Sequence, residues 1–193
     1  MKETILITLI VVFIYIFIFV NKSSRTYVQP NKSIEKYLVQ NDENKKDSAN
    51  LLFLIITNIY KLRNHLFNNI KGFPEQKEYI IQLTENLNEN RTSIYENEVG
   101  SNYTSYSVNK GEEIVFCLKS KRTKKLHNIN LMMYVAIHEM AHLACPEIGH
   151  TQLFKDIFKF LVKESIKLNI YNYKDYGIKP VEYCGMKLTS NII

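Results

Sequence analysis

The chain has 193 residues, of which 46% are hydrophobic and 23% charged. Those proportions suit one folded domain with a modest core and argue against a wholly disordered chain. The net charge of +6 permits an acidic partner such as nucleic acid or anionic lipid, but is too mild to mark one. The three cysteines, Cys117, Cys145 and Cys184, form no Cys-x-x-Cys pair. Their odd number argues against a disulfide framework and favours a reducing compartment.

Thr4 to Val20 is an apolar run broken only by Thr4, Thr8 and Tyr15, about the shortest length that spans a bilayer as a helix. It closes in Phe19-Val20-Asn21-Lys22, with no small-residue cleavage site of the signal-peptide kind. A buried core helix is the competing reading, but it would show a polar stripe, and this run has none. Residues 1–20 are therefore expected to be an uncleaved transmembrane anchor. Lys2 precedes the run, while Lys22, Arg25, Lys32 and Lys36 follow it, which places the bulk of the chain on the cytosolic side. Asn-x-Ser/Thr triplets at Asn21, Asn31, Asn90 and Asn102 point to the lumen instead. In an Asn-rich chain they arise readily, and the charge bias with free cysteines outweighs them.

Residues 21–46 are polar and read as a tether, so folding is expected to begin near Asp47. Apolar positions from Leu51 to Phe67 recur at helical spacing, with Asp47 or Ser48 as N-cap. Gly72-Phe73-Pro74 breaks the chain before a second helix from Glu75 to Leu87. In Ile94–Leu118, Ser105 to Val108 alternates, Asn109-Lys110-Gly111 signals a turn and Glu113 to Leu118 is β-prone, which predicts a hairpin or small sheet. A basic run of Lys119, Lys121, Arg122, Lys124 and Lys125 follows. It reads first as a solvated loop, and second as a phosphate-binding or substrate-steering patch. A third helix has Leu131 to Ala144 as its body, capped by Asn128 or Asn130 and stopped at Pro146. A fourth begins at Thr151 and buries Leu153, Phe154, Ile157, Phe158 and Leu161.

The third helix contains His138-Glu139-Met140-Ala141-His142, an H-E-x-x-H pattern. Residues i and i+4 of a helix share one face, so both imidazoles can meet one zinc ion at about 2.0–2.1 Å. Glu139 is rotated by about 100° and is free to take a proton from water acidified by the metal. Catalytic zinc needs a third protein ligand and an open position. His150 is the leading candidate, because Pro146 and Gly149 let the chain turn back and Thr151 can cap the next helix. A carboxylate such as Glu164 or Glu182 is the alternative, whereas His65 and His127 are distant in sequence. Tyr183 or Tyr176 could stabilise an oxyanion, although core packing is the default for either. Cys145 reads as a helix-end packing residue, and Cys184 and Met186 could pack beneath the site.

Val135 to Phe154, VAIHEMAHLACPEIGHTQLF, resembles the zinc peptidases of the SprT and WLM group. Their H-E-x-x-H is followed by a variable gap and a third His, often in Gly-His-x-x-x-Phe, as in Gly149 to Phe154. Pro180 to Met186 resembles the C-terminal signature of WLM-like proteins encoded by large DNA viruses. The resemblance covers about residues 106–193 and is tight only over the motif, where the gap between second and third His is longer than in the better-known members. It implies an α+β, zincin-like domain over residues 47–193 with a small antiparallel sheet. His138, His142 and His150 would hold zinc, and Glu139 would be the catalytic base. The strand Glu113–Leu118 would be either an edge for pairing with an extended peptide or an internal strand. The implied activity is hydrolysis of peptide bonds in a protein or peptide substrate. Family members include proteases that cleave proteins crosslinked to DNA, which makes nucleic acid a candidate partner. Two other classes compete: a zinc-binding scaffold without turnover, and a membrane protein whose motif holds no metal.

Overall fold

A computed structural model describes residues 24–189, together with Thr8, residues 10–13 and Ile192. Of the expected span Thr4–Val20, Thr8 and residues 10–13 are described and the rest lies outside the described residues. Among the described residues no helix is long and apolar enough to cross a membrane.

The order is β1 (Arg25–Val28), β2 (Tyr37–Gln40), α1 (Lys45–Asn68), α2 (Lys77–Asn86), β3 (Ser93–Glu96), β4 (Tyr106–Val108), β5 (Glu113–Phe116), α3 (Ile129–Ala144), α4 (Gln152–Lys167), β6 (Val181–Tyr183) and β7 (Met186–Leu188). Two short 3-10 turns, Ile70–Gly72 and Pro74–Gln76, join α1 to α2. The architecture is α+β with three small sheets. In the largest, β5 is central, parallel to β3 and antiparallel to β4. β5 is thus internal, and β4 takes the edge.

Residues 21–46 do not form a polar tether. β1 and β2 pair antiparallel, with Thr26 opposite Val39, and Tyr37 and Val39 enter the core. The β2 backbone is also fastened to the largest sheet, where Gln40 N donates to Glu96 Oε2 at 2.7 Å. The short apolar run Tyr37-Leu38-Val39 was the available signal, diluted by the charged residues on either side. Helix α1 starts at Lys45, before the expected Asp47 or Ser48 cap, and Asn44 at its N-cap makes no side-chain cap bond. Leu52, Ile55, Ile59, Leu62 and Leu66 form its buried stripe, at the three- and four-residue steps of one helix face.

Helix α3 is the centre of the molecule, packed by α1, α2 and α4, with β4 alongside. Asn128 caps it, accepting from Leu131 N at 3.0 Å. Cys145, extended at φ −85° and ψ 127°, ends it as a residue before proline should. From Leu131 to Ala144 every residue is buried except His138 and His142. A helix apolar on all sides must be enclosed on all sides. The one gap in that enclosure falls where the two histidines lie.

The cysteine expectation is overturned. Cys117 and Cys184 form a disulfide, and only Cys145 is free and buried. Free thiols therefore give no support to a reducing compartment. The pair is 67 residues apart, so no local spacing announces it. It pins the β6–β7 hairpin, whose two-residue turn Cys184-Gly185 has φ of 50° and 88°, to the end of β5.

The basic run also divides. Lys119 is buried, with Nζ 2.7 Å from Asp42 Oδ2 and 3.2 Å from Glu96 Oε1. Burial raises the Glu96 carboxyl above its usual range and Lys119 opposes the shift, as expected of a carboxylate taken out of water beside a cation. Arg122 to Lys125 are exposed. Lys119, Lys121 and Lys124 line a second cavity together with Asp42 and Asn97, and none of the run lines the histidine cleft.

Candidate metal centre

His138 and His142 project from the same face of α3, one turn apart, with Nε2 atoms 3.2 Å apart. His150 arrives from the loop after Pro146. Gly149 takes φ 86°, a left-handed turn that glycine adopts without strain. Thr151 then caps α4 by accepting from Phe154 N at 3.3 Å. The result places His150 Nε2 3.1 Å from His138 Nε2. Three nitrogens around one tetrahedral zinc at about 2.05 Å stand roughly 3.3 Å apart, so the donor set fits a single ion. Glu164 is instead paired with Lys167 at 2.5 Å on α4, and Glu182 accepts from Gly185 N at 2.7 Å. His127 sits beside the disulfide, its Nε2 3.4 Å from Cys184 Sγ.

Phe154 supports all three rings from below. Its ring lies 4.3 Å from His142, 4.8 Å from His150 and 5.0 Å from His138, centroid to centroid. Burial first, then the neighbouring His142 and His150, hold the His138 imidazole down to about 3. Burial, His150 and Lys110 hold His142 down to about 4. Both rings are therefore neutral at physiological pH, with a lone pair free for a metal. Glu139 is only 5% exposed, and burial raises its carboxyl to about 7, against a hydrogen bond from Ser107.

The three histidines and Glu139 share a cleft of about 670 Å³, lined also by Tyr106 and Ser107 from the edge strand β4 and by Tyr134, Tyr183 and Met186. Tyr183 is buried and its hydroxyl bonds to Ser105 Oγ, which also accepts from Cys117 N at 3.2 Å. Burial raises the Tyr183 phenol, so it stays a proton donor. Tyr176 packs instead against Tyr134, ring centroids 4.9 Å apart, and does not line the cleft. Cys145 is a buried helix-end residue, while Met186 is 47% exposed at the cleft rim. Ser107 and Lys110 are cleft residues that spacing alone does not single out. The alternating stretch and turn around them were the only signal.

The fold and site define an α+β domain whose central buried helix presents a three-histidine cluster and a carboxylate to one cleft. The chain belongs to the family of Uncharacterized protein R325 of Acanthamoeba polyphaga mimivirus: the two are 44% identical over 188 residues, 97% of this chain and 94% of that one. It is also 33% identical over 97 residues to Uncharacterized protein 136R of Invertebrate iridescent virus 6, covering 49% of this chain and 53% of that one. Uncharacterized protein 042R of Invertebrate iridescent virus 3 is 32% identical over 98 residues, 50% of this chain and 60% of its own. No family model matches the chain, and no solved structure matches it.

Proposed function

We propose that this chain is a zinc metallopeptidase that hydrolyses peptide bonds in protein substrates, carried on a membrane by its apolar N-terminal segment. The observation that carries the reading is the clustering of His138, His142 and His150, with the Nε2 atoms of His142 and His150 3.2 and 3.1 Å from that of His138 and all three donor atoms within 4.8 Å of one another, in the same cleft as a buried carboxylate. Zinc, when bound, supplies Lewis acidity toward a carbonyl oxygen and acidifies water. The three histidines would hold it at the cleft. Glu139, held near 7, takes the proton of the attacking water and returns it to the leaving amine. The Tyr183 hydroxyl, which lines the cleft, would donate to the oxygen on which charge develops.

The test uses the full chain loaded with zinc and a mixture of peptides, with cleavage read by mass spectrometry. Glu139→Gln should retain zinc and lose about 10²–10⁴-fold in rate, and a chelator should abolish turnover. A chain that binds no zinc, or a Glu139→Gln variant with undiminished cleavage, would sink the reading.

A further inference from the structure

We infer that Lys110 is a positioning residue for the third histidine, an inference that rests on the metal-centre reading above. Residues 146–150 are exposed and without regular structure. Beyond the His150–His138 ring contact, the hydrogen bonds to this loop and to the carbonyl of Cys145 at its start come, among the described residues, from one side chain. Lys110 Nζ donates to Cys145 O at 2.6 Å and to Glu147 O at 3.3 Å. A charged donor bridging two carbonyls makes strong bonds and closes the turn that returns His150 to the helix face.

Lys110 can act as a clamp because its own base is fixed. It lies in the β4–β5 turn, where Asn109, Lys110 and Gly111 have φ of 47°, 54° and 102°. Arg91 donates to Asn109 O at 2.8 Å and Lys110 O at 3.3 Å. A Cβ on Gly111 would stand 2.5 Å from Asn86 O and 3.0 Å from Leu143 Cδ2, so the turn is pressed against the end of the metal helix. Asn86 Nδ2 in turn donates to Leu143 O at 2.8 Å. One rigid unit thus holds both the helix that bears His138 and His142 and the loop that bears His150.

The experiment is a double-mutant cycle on zinc affinity, measured on the full chain by competition with a chromophoric chelator. Lys110→Met keeps the stem and removes the donor. It should weaken zinc binding by about 10–100-fold, as loss of a group orienting a metal ligand does, with the unfolding midpoint of the metal-free chain unchanged. In the His150→Ala background the same substitution should cost nothing further, because the residue it positions is gone. A full penalty in that background, or unchanged affinity in Lys110→Met alone, overturns the inference while leaving the metal centre standing. Absence of zinc from the unsubstituted chain overturns the metal-centre reading and this inference with it. Should the Met variant not fold, Lys110→Gln, too short to span both carbonyls, replaces it with the same expectations.

Discussion

Reducing the Cys117–Cys184 bond should destabilise the chain and disturb the cleft while leaving His138, His142 and His150 in place. The two cysteines are 67 residues apart. In the chain-entropy treatment, a crosslink closing a loop of that size removes about 4 kcal/mol of unfolded-state freedom. For a chain of this length that corresponds to a fall of about 8–16 °C in Tm. The affected element is identifiable. The β6–β7 hairpin is three residues per strand, too short to be stable alone, and it carries Tyr183, Met186 and Leu188 to the cleft. None of the three clustered histidines lies on it. On the proposed metallopeptidase reading, reduction should therefore lower turnover more than zinc content. Guanidinium unfolding with and without a thiol reductant measures the first effect, and Cys117→Ser with Cys184→Ser should match the reduced protein. Thiol titration of the denatured chain should find one thiol before reduction and three after. Three thiols without reductant, or an unchanged unfolding midpoint after reduction, would refute the reasoning.

Lys119→Met should cost about 3–5 kcal/mol in urea unfolding, because it strands buried Glu96 without its cation. Adding Glu96→Gln should recover part of that loss, since the uncompensated charge is then gone; no recovery would show that Lys119 matters through packing alone. Gly111→Ala should destabilise by more than about 1 kcal/mol, since alanine is strained at φ 102° and its Cβ would meet Asn86 O at 2.5 Å. An unfolding midpoint equal to the parent's would show that the turn relaxes freely.

Much of the site was legible because its information is local. His138, Glu139 and His142 lie within five residues on one helix, and helical geometry alone puts the two imidazoles on one face. Asn128 and Thr151 were legible as caps because a cap acts on the backbone N–H three residues on. The return of His150 followed from Pro146, Gly149 and Thr151, all inside a short loop. The β1–β2 pair was missed because its strands are four residues long and stand among charged neighbours. The disulfide was missed because counting cysteines treats all three alike, whereas the fold buries Cys145 by itself at the end of α3 and brings the other two together.

The sequence by itself determined the helix-borne donor set, the carboxylate beside it, the helix ends and the place where the chain turns back. Only the tertiary structure decided that β5 is internal and β4 the edge, that Tyr183 and not Tyr176 faces the cleft, and that Lys119 is buried against Asp42 and Glu96. It also decided that Lys110 reaches the loop 35 residues further on. The physical reason is the range of the interactions. Helical periodicity and capping act over three or four residues and leave a pattern in the chain. A salt bridge across 77 residues or a disulfide across 67 forms only where packing brings the partners together, and residues so far apart share no spacing from which the pairing can be read.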